Sequence, residues 1–154
     1  SNVDNLGADP DPLVIGHHVC SGRALTCEIA EVRPGDVGGT PAFVDGRLEI
    51  VEGFRFPRDF DFGALHFLNT NTFSMTLEAL HGDFALDWYY VEKQVDGRRA
   101  VQMERVVNEL ARTLDSGFLV TPRDGPAGRF FPVKSREELA AMRADPALVR
   151  RFSL

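Results

Sequence analysis

Cysteine is scarce in this chain of 154 residues: there are only Cys20 and Cys27, with no CxxC and no zinc-ligand spacing between them. That excludes a disulfide framework and fits a reducing compartment. No apolar run approaches the roughly 18 residues of a membrane span, and no charged-then-apolar leader opens the sequence. A soluble, cytoplasmic protein with no membrane partner is the expectation. Basic residues are outnumbered, 17 Lys and Arg against 23 Asp and Glu, for a net charge of −6. The two signs are interleaved, so no basic stripe points to nucleic acid. An anionic ligand would have to be held by a few local cations, backbone N–H groups or a metal. No Ser/His/Asp or Cys/His arrangement is present, so nothing suggests covalent catalysis. Repeats, low-complexity tracts and an internal linker are also missing, and residues 1–154 read as a single domain. An initiator methionine is lacking too. Ser1-Asn2 is either a cloning scar or a point partway along a larger protein.

What is present is a succession of short elements. Asp11 as N-cap and Pro12 at the first helical position predict a helix over 11–19. Leu25, Cys27 and Ile29 alternate with Thr26 and Glu28, a strand over 24–32. A loop dense in Gly and Pro (33–41) leads to a hairpin over 42–52, turned at Asp45-Gly46. An irregular aromatic stretch follows over 53–63. A strand over 64–68 is expected to stop in the turn Asn69-Thr70-Asn71-Thr72. Behind it, Phe73, Leu77 and Leu80 have helical spacing. Residues 87–95 read as a strand closed by Asp96-Gly97. Met103, Val106, Val107, Leu110 and Leu114 predict a helix over 100–114. A strand over 117–122 ends at Pro122. Helices follow from the capping box Ser135-x-x-Glu138 and from Asp145-Pro146. The whole reads as α/β with a mixed sheet.

Four stretches carry polar chemistry. "VDNLGAD" (3–9) packs an acid, an amide and a glycine into a turn. It is either an Asx-turn or a place where a carboxylate holds Mg²⁺. "DVGGT" (36–40) can present backbone N–H groups to an anion or a sugar. Asn69 and Asn71 are either turn residues or amides facing a ligand crevice at a strand end. Lys134 precedes a capped helix, where dipole and ammonium together would favour an anion; otherwise it is a solvated loop lysine. His17 and His18 face opposite ways without a partner His or Cys, and the Arg98-Arg99 pair reads as a solvated turn.

Taken in order, "SNVDNLGAD", "DVGGT", "GRLEIVE", "FLNTNTF", "VQMERVV" and "RFFPVKSREEL" resemble the later part of the catalytic domain of UTP–sugar-1-phosphate uridylyltransferases, most closely the UTP–glucose-1-phosphate type. The resemblance implies a Rossmann-like, nucleotidyltransferase-type mixed sheet with flanking helices, here its second half. It implies the reaction UTP + sugar 1-phosphate ⇌ UDP-sugar + pyrophosphate, with Mg²⁺ as cofactor and glucose 1-phosphate as the favoured sugar phosphate. By position, Asp4 would hold the metal and α-phosphate and Asn2 would face substrate. Gly38, Gly39, Glu52, Asn69 and Asn71 would line the sugar pocket, and Lys134 would neutralise phosphate. The glycine-rich UTP-binding loop is expected upstream, on the same chain or another. A non-catalytic sugar-phosphate-binding remnant or an inactive fragment is the alternative. Where the glucose type carries a lysine before the Gly-Gly pair, this sequence has Val37. "DPLVIG" and the Pro34-x-x-Val37-Gly38 loop resemble the UDP-N-acetylhexosamine branch, whereas "FPVK" and "NTN" resemble the glucose branch.

Overall fold

The structure is a computed structural model and describes residues 1–152. Helix α1 (Pro12–Ser21) starts where its cap places it: the Asp11 carboxylate accepts the Leu13 N–H at 2.7 Å. Gly22 ends it in the left-handed conformation. Strand β1 (Leu25–Glu31) is the centre of a three-stranded sheet and is buried on both faces except at Glu31. The alternation seen in sequence is therefore not inside against outside. Leu25, Cys27 and Ile29 join the apolar core with Ile50, Leu110 and Ala111. Thr26 and Glu28 face a second, polar interior, where Thr26 meets His18 of α1 at 2.8 Å.

The hairpin β2 (Thr40–Val44) and β3 (Arg47–Val51) turns as expected at Asp45-Gly46, with φ 50° and 80°. Positive φ at both positions matches the twist of the flanking strands. The loop after β3 carries two short 3₁₀ turns, Gly53–Arg55 and Phe62–Ala64, and the rings of Phe56, Phe60 and Phe62 meet one another tilted or edge-on.

Strand β4 (Phe67–Met75) departs from expectation. It runs through Asn69-Thr70-Asn71-Thr72 rather than stopping there. It pairs antiparallel with β1, and the register jumps from Glu28↔Thr72 to Ile29↔Asn69, so Thr70 and Asn71 form a bulge. Thr70 Oγ1 donates to the Glu28 carbonyl at 2.9 Å, which supplies the bond the ladder loses there. Phe73 belongs to this strand, and Leu77 and Leu80 are exposed around a single 3₁₀ turn, so no helix follows. Their helical spacing had no apolar surface to bury against.

Strands β5 (Tyr89–Val95) and β6 (Arg98–Glu104) form a second hairpin through Asp96-Gly97. The helix expected over 100–114 is thus replaced by β6 and a 3₁₀ segment, Val107–Arg112. Once Asp96-Gly97 turns the chain back, β5 offers a hydrogen-bonding edge that residues 98–104 satisfy, which outweighs the weak helical periodicity. Strand β7 (Ser116–Val120) lies parallel to β1 on the side away from β4, giving the order β4-β1-β7 and a mixed sheet. Helices α2 (Arg136–Ala144) and α3 (Pro146–Phe152) close the described chain.

Candidate functional site

Asn5 organises the N-terminal edge of the site. It is buried, and its Oδ1 accepts the N–H groups of Phe131 at 2.8 Å and Gly7 at 3.2 Å. Its Nδ2 donates to the Arg129 carbonyl at 3.1 Å. Around it the backbone pairs antiparallel: Leu6 N–H with the Phe131 carbonyl at 3.1 Å, and Val133 N–H with the Asp4 carbonyl at 2.8 Å. Gly7 is required for this approach, because a Cβ there would stand 2.6 Å from the Arg129 backbone. The ladder brings Asp4 and Lys134, which are far apart in sequence, to the same cleft.

Lys134 stands one residue before the cap of α2, as the sequence suggested. The capping box forms, but the Glu138 carboxylate reaches back to accept both the Lys134 N–H at 2.6 Å and the Ser135 N–H at 2.8 Å. These bonds, that from Lys134 first, hold the Glu138 carboxyl below its ordinary range. The Lys134 and Ser135 amides are therefore occupied, so an anion here would meet the Lys134 ammonium and the dipole of α2.

The opposite wall is built from the Gly-Gly loop and the β4 bulge. The Gly39 carbonyl accepts the Asn69 N–H at 2.7 Å, and Thr40 Oγ1 donates to the Phe67 carbonyl at 2.5 Å, so the loop is fastened to β4. A Cβ on Gly39 would lie 2.8 Å from Ile50 and 2.9 Å from Glu52 Oε1, whereas one on Gly38 would meet nothing. Glu52 accepts from Asn108 Nδ2 at 2.6 Å. Burial pushes the Glu52 carboxyl above its ordinary value; the Asn108 bond and Arg55 pull it down, and the Glu104 charge pushes it further up. Asn71 adopts the left-handed conformation with φ 55° and is tied to Asn69 by side-chain hydrogen bonds.

All eight residues singled out from the sequence border one cleft. Asn2, Asp4 and Lys134 stand on one wall, and Gly38, Gly39, Glu52, Asn69 and Asn71 on the other. The cleft measures about 70 Å³, too small to enclose a sugar nucleotide. It shares Asn2, Glu52 and Asn71 with a neighbouring hollow of about 330 Å³ that Arg105 also lines. It shares Gly38, Gly39 and Glu52 with a more apolar one of about 480 Å³.

Among the described residues no three His, Cys, Asp or Glu side chains cluster as a metal cage. Asp4 offers one half-buried carboxylate. Mg²⁺ commonly takes one or two carboxylates and completes its shell with water and substrate phosphates. The donor set thus fits a metal that arrives with a polyphosphate.

Three residues of the site escaped the sequence reading. Asn5 sat inside a noticed motif without a role. Asn108 lay within the stretch expected to be helical. Arg129 opened the quoted stretch "RFFPVKSREEL" without a role, yet it is buried and forms a two-point ion pair with Glu28, at 2.7 and 3.0 Å, while also binding the Asp9 carbonyl at 3.0 Å.

Known proteins resemble this chain over nearly its whole length. A family model described as UTP–glucose-1-phosphate uridylyltransferase matches residues 1–151. The enzyme of that name from Astragalus penduliflorus is 28% identical over 165 residues, covering 100% of this chain and 34% of the relative. The one from Solanum tuberosum is 26% identical over 156 residues, covering 94% of this chain and 32% of the relative. Among solved structures, the UDP-glucose phosphorylase of Trypanosoma brucei superposes with a TM-score of 0.75 at 25% identity, over 93% of this chain and 34% of that one. A mutant UDP-glucose pyrophosphorylase from Leishmania major, in complex with UDP-glucose, gives 0.69 at 25% identity, over 92% of this chain and 35% of that one. The chain spans about a third of the length of these relatives. Because that family model matches residues 1–151, nearly all of the chain, this chain belongs to the UTP–glucose-1-phosphate uridylyltransferase family.

Proposed function

We propose that this chain forms the sugar-phosphate side of a uridylyltransferase site, serving the reaction UTP + glucose 1-phosphate ⇌ UDP-glucose + pyrophosphate. The observation that carries the reading is the meeting of Lys134 and Asp4 with Glu52, Asn69 and Asn71 in one cleft. In that reaction a phosphate oxygen of the sugar phosphate bonds to the α-phosphorus of UTP as the bond to the pyrophosphate oxygen breaks. Both reactants are polyanions, so the protein's contribution is positioning and charge stabilisation. Glu52 and the two amides suit sugar hydroxyls, and Gly39 lets backbone come close. Lys134 would neutralise phosphate charge. Asp4 would hold Mg²⁺, which when bound supplies positive charge to the phosphate oxygens. A cytoplasmic setting is part of the same proposal and is supported by two free thiols, Cys20 and Cys27.

The second reading is a sugar-phosphate or UDP-sugar binding module without turnover of its own. Calorimetric titration of the 154-residue chain with UDP-glucose and with UDP, in the presence of Mg²⁺, tests the site. Tighter binding of UDP-glucose than of UDP supports it, and equal or absent binding overturns it. Pyrophosphate release from UTP and glucose 1-phosphate then separates enzyme from module.

A further inference from the structure

Asn108 is 2% exposed, sits on the 3₁₀ segment beneath the cleft, and is oriented by a single partner. Its Nδ2 donates to Glu52 Oε1 at 2.6 Å, and its Oδ1 is buried with no hydrogen bond among the described residues. Turning the amide over would set a carbonyl oxygen against a carboxylate, so Glu52 alone decides which way it faces. A buried acceptor without a partner lowers stability, and folds keep such violations chiefly where function needs them. Gly39 closes the third side, since a Cβ there would lie 2.9 Å from Glu52 Oε1 and 3.2 Å from Asn108 Nδ2. The charged groups acting on Glu52 are Glu104 of β6 and Arg55 of the loop after β3, opposite in sign. The neutral amide therefore sets the direction of the carboxylate without altering the local charge.

We propose that Asn108 is a positioning residue for sugar recognition: it holds Oε1 of Glu52 beneath Gly39 so that Oε2 accepts a hydroxyl of the sugar in a bound sugar nucleotide. The inference rests on the sugar-nucleotide reading of the cleft. It assigns to the otherwise unexplained amide a role exerted through Glu52.

A double-mutant cycle tests it, with UDP-glucose as the titrant and the 154-residue chain as the protein. Glu52→Gln and Asn108→Leu should each weaken binding about tenfold, as loss of one hydrogen bond to a charged group does. The double variant should also lose only about tenfold, because Asn108 acts through Glu52. Asn108→Leu removes the orphan Oδ1 but strips Glu52 Oε1 of its donor, so its melting temperature should fall. Asn108→Ser, with a shorter donor, should recover part of the affinity, and it carries the cycle if the leucine variant does not fold. A hundredfold loss in the double variant, or full affinity in Asn108→Leu, overturns the proposal. The Glu52 carboxyl carbon, followed by NMR titration, should show a higher midpoint in Asn108→Leu or, where that variant does not fold, in Asn108→Ser. An unmoved midpoint overturns the positioning role even in a chain that binds no sugar nucleotide. Failure of the wild-type chain to bind UDP-glucose defeats instead the reading of the cleft.

Discussion

Asn69 and Asn71 bond each other through their side chains across the β4 bulge. Asn69 Nδ2 donates to Asn71 Oδ1 at 2.8 Å, and Asn69 Oδ1 accepts the Asn71 backbone N–H at 3.1 Å. The structural and ligand-facing readings of these asparagines are therefore compatible. One set of hydrogen bonds builds the bulge, and the amide groups left over border the cleft.

That relationship separates two substitutions. Asn71→Ala should lower the unfolding free energy by about 1–2 kcal/mol, because alanine tolerates the left-handed conformation poorly and brings no amide. Asn71→Gly should recover the backbone share in urea denaturation. Both should weaken UDP-glucose binding alike. Unchanged binding in the glycine variant would assign Asn71 to the bulge alone.

The two loop glycines should differ sharply. Gly39→Ala forces a methyl to 2.8 Å from Ile50 Cγ2 and 2.9 Å from Glu52 Oε1, and overpacking of this kind costs about 1–3 kcal/mol. Gly38→Ala meets open space and should change stability by less than about 0.5 kcal/mol. Equal melting temperatures for the two variants would contradict the close packing of Glu52 against Gly39.

Lys134 is exposed, and its backbone N–H rather than its ammonium holds the capping box. Lys134→Ala should leave the melting temperature nearly unchanged. It should depress kcat/KM by roughly 10²-fold in a complete, active enzyme, with Lys134→Arg recovering only part. Asp4→Asn should cause a comparable loss of Mg²⁺-dependent turnover. Near-normal steady-state kinetics in either variant would remove that residue from the chemistry.

Asp36 should give the fold an acid limb. Burial pushes its carboxyl up, but the Arg123 hydrogen bond, the Arg33 N–H at 2.7 Å and both guanidinium charges outweigh this and hold it below 3.8. A folded carboxyl depressed below its unfolded value contributes stability above the unfolded value and loses it as pH falls through the folded one. The loss should therefore begin near pH 4 and continue downward. Urea midpoints measured at pH 7 and at about pH 3 should fall less in Asp36→Asn than in the wild type. Parallel losses would show that the ion pair with Arg123 carries no pH-dependent stability.

Local chemistry was legible in the sequence because it acts over a few residues. Asp11-Pro12 and Ser135-x-x-Glu138 begin helices where they stand, and Asp45-Gly46 turns a hairpin, since caps and positive φ depend only on neighbouring atoms. The polar motifs were legible too, as types of group: an acid beside a glycine, paired glycines, paired amides, a lysine before a cap. Periodicity misled at Phe73–Leu80 and over 100–114, because apolar spacing says what can be buried and not which strand edge is waiting for a partner. Only the tertiary structure decided that Asn69-Thr70-Asn71-Thr72 is a bulge inside β4, for the ladder with β1 is a long-range hydrogen-bond pattern. It also decided that Asn5, Asn108 and Arg129 are the buried polar supports of the cleft. Each earns that role from a partner elsewhere in the chain: Phe131, Glu52 and Glu28. The meeting of Asp4 with Lys134 has the same cause, a backbone ladder between segments that no spacing rule connects.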